Sequence, residues 1–186
     1  MLVWSNEKRF DWMTNLSKQA AFNASVELSE RLEKQQYRME LVLRFIVFSR
    51  LTELTFQHKD LGEFLNAENR ALAADDAFDE KAMTRTFAST FGLIDAALGS
   101  DAFRRFDTTK KEFRGPFIIS AFEAVALGVA HNISAWKKTP NAEAKLADKV
   151  KKLWSKHDFT DWVGPGSGAR ERIQVSVPFG RAHFKP

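Results

Sequence analysis

The chain has no cysteine, which excludes disulfides, thiolate zinc sites and cysteine nucleophiles and agrees with a reducing, cytoplasmic setting. Proline and glycine are sparse, 5 and 9 in 186 residues, so collagen-like and low-complexity architectures are excluded. No stretch is apolar for the roughly 20 residues that a membrane helix needs. The best candidate, Phe117 to Ile133, carries Glu123 and His131 and reads as a buried helix. The first residues, Met-Leu-Val-Trp followed by Ser-Asn-Glu-Lys-Arg, lack the basic and then apolar order of a secretory signal. The four histidines (58, 131, 157, 183) stand singly, without the spacing of a metal motif, so neither a metal nor another cofactor is assigned. No serine sits in a nucleophile-elbow setting, and no catalytic residue is assigned.

What the chain does hold is aromatic mass and helical periodicity. Seventeen Phe and five Trp argue for a packed core in a single domain over 1–186, with a Gly-containing loop and basic segment over 157–186 packed on it. Phe10, Met13 and Leu16 recur at helical spacing, and Phe22, Val26 and Leu28 to Leu32 continue after a polar break at Asn15 to Gln19. Met39 to Leu54 is apolar on nearly every side, which predicts a central helix. Asp60 with Glu63 forms a capping pair for a helix over Leu61 to Leu72. Met83, Phe87, Phe91, Ile94 and Leu98 stripe a helix from Glu80 that Gly99 stops. Pro116 is placed at the start of the second apolar helix, and Asn141 to Trp154 is amphipathic after the break at Pro140. A last helix begins near Ala169 and is broken near Pro178, and the only strand-like alternation is brief, at Ile173 to Val177. The expected fold is all-α: a bundle of about six to eight helices around two apolar central ones.

Charge is uneven. Lys137 to Pro186 carries a formal +6 and the rest of the chain −2, which points to an acidic partner, nucleic acid above all, or to a solvated face. Within Ala102 to Phe117, Arg104, Arg105, Lys110, Lys111 and Arg114 interleave with Phe103, Phe106, Phe113 and Phe117. Two readings stand: a stacking, phosphate-tracking surface, or phenylalanines that anchor a connection between helices while the charges face water.

Gly164-Pro165-Gly166-Ser167-Gly168-Ala169 has the glycine spacing of a dinucleotide loop but neither a preceding strand nor an acid about 20 positions on. What survives is a loop that delivers Arg170 and Arg172 to a helix N-terminus, with Arg181 further along the same basic tail. Arg44 is a guanidinium inside the central apolar helix. It either pairs with Glu40 one turn back, as a structural ion pair, or faces a ligand.

Four blocks, Met39 to Phe48 (MELVLRFIVF), Leu61 to Asn66 (LGEFLN), Asp101 to Phe106 (DAFRRF) and the tail from Gly166 to Phe184, occur in the order and spacing of one family. The chain resembles the helical C-terminal part of bacterial proteins whose N-terminal half is a ParB/sulfiredoxin-like domain, as in GmrSD-type modification-dependent restriction proteins. The resemblance implies anti-phage defence, with nucleotide hydrolysis or DNA cleavage seated in the N-terminal half at an Asp-Gly-Gln-Gln-Arg motif. Here only Gln35-Gln36-Tyr37-Arg38 echoes that motif, without Asp-Gly and with an inserted Tyr, so no catalytic role is carried over. The resemblance therefore implies a non-catalytic accessory part, separated from its active half, that contacts DNA or a catalytic ParB-like partner. The rival readings are an interaction module, including self-association through a Phe-rich surface, and a stand-alone nucleotide-dependent nuclease using Arg170 and Arg172. No membrane partner is expected.

Overall fold

A computed structural model describes residues 6–52, 60–162 and 168–186. The Gly164 to Ser167 part of the glycine loop and the last two residues of the Met39 to Leu54 segment lie outside them. The described chain is all-α apart from one small hairpin. Its helices are α1 (Glu7–Ser17), α2 (Ala20–Ser25), α3 (Glu30–Lys34), α4 (Tyr37–Arg50), α5 (Leu61–Ala74) and α6 (Glu80–Leu98). After the hairpin strands β1 (Arg105–Asp107) and β2 (Glu112–Arg114) come α7 (Ile119–His131), α8 (Ile133–Trp136), α9 (Ala142–Leu153), α10 (His157–Thr160) and α11 (Ala169–His183). Seven of these helices have eleven residues or more, the number expected, and four short ones of 4–6 residues fill the turns between them.

The two central helices are where apolar runs place them. Every residue from Leu41 to Phe48 in α4, and from Ser120 to Ala130 in α7, is buried. A helix without a polar stripe has no side to turn to water, so others must surround it. Phe22, Phe45, Phe87, Phe91 and Phe122 join α2, α4, α6 and α7 with ring centroids 4.5–6.2 Å apart, many edge-on or tilted as ring quadrupoles prefer. Residues from α1 to α11 belong to one apolar cluster.

Capping follows side-chain chemistry. Asp60 and Asp79 accept the N–H groups of Glu63 and Ala82 and start α5 and α6. Gly99, at φ 51°, ends α6.

Four local expectations need correction. Pro116 does not open α7, which starts three residues later with Ile118 as its extended N-cap, because the Ile118 N–H is drawn back to Phe103 O. The Phe22 to Leu32 segment is two helices, since Val26 is extended and its side chain is wholly buried. Pro178 does not break α11, and Ile173 to Val177 is helix and not strand. The hydrogen bond that Pro178 cannot donate would go to Gln174, and both residues are exposed, so water can serve that carbonyl. The opposite side of α11 is fixed by packing on α7. A Cβ at Gly180 would lie 2.2 Å from Ala124 O, and one at Gly128 would lie 2.4 Å from Gly180 O, so the two backbones touch through glycine alone.

The C-terminal segment is latched from several directions. Asn132 Nδ2 donates to Arg181 O (2.8 Å), Trp136 Nε1 to Phe184 O (2.8 Å) and Lys149 Nζ to His183 O (3.1 Å). The His183 ring bonds back to Lys149 O at 2.8 Å.

Candidate functional site

Two polar features stand out on this apolar frame. The first is internal. Glu123 of α7 is fully buried, and its carboxylate accepts from Arg44 Nη1 of α4 at 3.0 Å. Arg172 of α11 approaches from the other side through Nε and Nη2, at 3.0 and 3.2 Å, and Ser176 Oγ lies 3.4 Å away. Arg44 also donates Nε and Nη2 to Glu40 Oε1, at 3.0 and 2.7 Å. Two guanidinium groups thus meet two carboxylates, and the network closes without net charge. Burial opposes the charge of Arg44, but Glu123 and Glu40 outweigh it and hold its pKa above the usual value. Burial pushes the neighbouring Tyr37 phenol up, against the pull of Arg44. A cleft of about 510 Å³ opens over this network, lined by Gln35, Gln36, Glu40, Arg44, Asp60 and Asn66 among others.

The Glu40–Arg44 pair is as the sequence implies. In the sequence Glu123 reads only as a charge in an apolar helix. The signal that could have found it is that the long apolar runs of α4 and α7 are each interrupted by one charge, of opposite sign. Two such charges in helices that must pack together have to meet.

The second feature is the hairpin. Arg105 faces Arg114, Phe106 faces Phe113 and Asp107 faces Glu112 across β1 and β2. Strand alternation turns the phenylalanines to one side, with centroids 5.0 Å apart and packed on the core, and leaves the four charged residues on the other. Asp107 shapes the connection. Its Oδ1 accepts the N–H groups of Thr109 (3.0 Å) and Lys110 (2.9 Å), and Lys111 follows in the left-handed region at φ 58°. The Lys110 N–H, with Arg114 assisting, holds the Asp107 carboxyl below the usual range.

The C-terminal end of α9 meets this hairpin. Lys151 Nζ lies 5.8 Å from the Phe106 ring centroid, and Trp154, next to α9, lines with the hairpin a cleft of about 620 Å³. Two basic stretches more than thirty residues apart in sequence, around Arg105 to Arg114 and at Lys151, are thus brought next to each other.

The basic residues singled out in the sequence divide. Arg105, Lys110, Lys111 and Arg114 are exposed on the hairpin. Arg104 is tied to Glu27 and lies 3.5 Å from Asp101. Arg170 is partly buried in the first turn of α11. Two are corrections. Arg172 points inward to Glu123, because that buried carboxylate needs a second cation, and it is not part of a nucleic-acid surface or a nucleotide pocket. Arg181 donates to the carbonyls of Phe48, Leu51 and Thr52, at 2.8, 2.6 and 3.3 Å, and closes the C-terminal end of α4; burial holds its pKa below the usual value. For the phenylalanines the packing favours the anchoring reading. Phe103 is buried, Phe106, Phe113 and Phe117 are partly buried, and all pack against the core.

No described helix is long and apolar enough to cross a membrane. Comparison of the chain with family models, curated proteins and solved structures finds no match.

Proposed function

We propose that the chain is a non-catalytic helical accessory domain of a GmrSD-like restriction or anti-phage defence system, and that it contacts DNA through the hairpin and the adjoining end of α9. The observation that carries the DNA contact is that Arg105, Lys110, Lys111 and Arg114 are all exposed on one short hairpin, with Lys151 beside it against the Phe106 ring. Mobile cations on a surface ribbon match a phosphate backbone, which rewards charge and reach more than fixed geometry. The four sequence blocks that resemble the helical part of the family supply the defence setting, with a ParB-like catalytic half as the second partner. Nucleotide hydrolysis and DNA cleavage belong to that half in this reading.

The interaction-module reading has less to rest on. Among the described residues Trp162, at 41 % exposure, is the one large apolar side chain classed as exposed.

The test is charge reversal on the turn. Lys110→Glu with Lys111→Glu removes two exposed cations that make no ion pair among the described residues, so the fold should be unaffected. Duplex affinity, read by fluorescence anisotropy at low salt, should weaken at least tenfold. Unchanged affinity in the double variant would remove the hairpin from the reading.

A further inference from the structure

The cleft between the hairpin and Trp154 has two features that a duplex-backbone contact leaves unexplained. The first is a donor without an acceptor. Trp154 is 8 % exposed, lines the cleft, and its indole Nε1–H is buried with no hydrogen-bond partner among the described residues. A buried tryptophan ordinarily finds a partner for that group, because an unmet donor forfeits about 1–3 kcal/mol. Trp136 of the same fold does so through Phe184 O. The second is a like-charge pair. Arg105 and Arg114 sit directly opposite in the strand register, and both line the cleft. Arg114 is shared at 3.3 Å with Asp107 and Glu112, whereas Arg105 has no carboxylate within salt-bridge distance among the described residues. Like charges directly opposed weaken a hairpin, and an anion between them reverses the sign.

We propose that this cleft takes a single unpaired nucleotide of DNA, its base held beside Trp154 with a carbonyl oxygen or ring nitrogen accepting from the indole N–H, and its phosphate between Arg105 and Arg114. The proposal rests on the DNA reading above and deepens it. The volume of about 620 Å³ lies within the roughly 300–1,000 Å³ of sites that hold small molecules. Thr108 and Thr109 add hydroxyl donors at the rim, and Phe106 and Ile118 add apolar wall. A paired base cannot enter, since its ring edges are inside the duplex, whereas an extrahelical or single-stranded one is free to turn in. Because Nε1 is buried, the side chains that cover it must move for a base to reach it.

The experiment compares two labelled probes with the full chain: a blunt duplex, and the same duplex with one extrahelical thymidine. The expected result is about tenfold tighter binding of the bulged probe, in line with the worth of seating one base. A change in tryptophan fluorescence should accompany the bulged probe. Trp154→Phe should bring the bulged-to-blunt ratio close to one. If that variant fails to fold by circular dichroism, Arg105→Gln on an exposed strand position is used instead, and the same ratio should fall. Equal affinity of the wild type for both probes, or a preference that survives both substitutions, overturns the proposal and leaves the duplex reading standing. Binding of neither probe overturns both. Tight binding of a phosphoserine peptide in place of either probe assigns the cleft to a protein ligand and overturns the nucleotide.

Discussion

Glu123 and Arg44 lie 79 positions apart in sequence and 3.0 Å apart in space, each within the buried run of its helix. Their contact fixes the rotation of α4 against α7, because turning either helix would leave a charge facing hydrocarbon. Arg172 then fixes the position of α11 against both. Glu123→Ala leaves two guanidinium groups without their shared carboxylate and should cost about 3–5 kcal/mol in chemical denaturation. Replacing Arg44, Glu123 and Arg172 together by Met, Leu and Met should recover most of that loss. A cost below about 1 kcal/mol for the single change would mean that the carboxylate is not shared as described.

A second prediction contrasts two glycines in helices. Gly180→Ala places a methyl group 2.2 Å from Ala124 O, so α11 must move off α7, at a cost of about 1–3 kcal/mol. Gly92→Ala meets nothing within 4 Å and should raise stability by up to about 1 kcal/mol through helix propensity. Thermal unfolding of the two variants should therefore shift in opposite directions.

A third concerns pH. His183 is half-buried between Phe179 and Phe184, and burial lowers its pKa from 6.5, with Lys149, Lys152 and Lys156 adding to the effect and the bond to Lys149 O opposing it. The unfolded chain then binds the proton more readily than the folded one, so stability rises with pH. The contribution is complete above about 6.5, the unfolded value, and is lost as pH falls below it. His131, also lowered by burial and by Arg181, has the same sign. Denaturation midpoints between pH 7.5 and 5.5 should fall with pH, and His183→Asn should flatten the dependence without removing it. A slope unchanged by that substitution would place the titration elsewhere.

The parts of the fold that could be read in the sequence are those set by local chemistry. Asp60, the stripe from Met83 to Leu98, and the apolar runs at Met39 and Phe117 each state their structure within a few residues. What could not be read depends on partners distant along the chain. The hairpin is three residues a side, too short for alternation to register, and what makes it a ribbon is the Phe106–Phe113 pair seated on the core. Pro178 looks like a break until Gly128 and Gly180 are seen to press α11 onto α7. Arg172 and Arg181 count as free charge in a composition, yet a carboxylate in α7 and carbonyls at the end of α4 claim them. Of the eight basic residues that the sequence offers to nucleic acid, Arg104, Arg105, Lys110, Lys111, Arg114, Arg170, Arg172 and Arg181, the four on the hairpin are exposed for that role, and Lys151 lies beside them from another part of the chain.

The central claim is that this hairpin face is read by phosphates, and its most direct measurement is the affinity for a blunt DNA duplex at 50 and 200 mM salt. With about four phosphate contacts, the dissociation constant should rise on the order of 100-fold across that range. An affinity independent of salt, or no binding at protein concentrations up to about 100 μM, would contradict it.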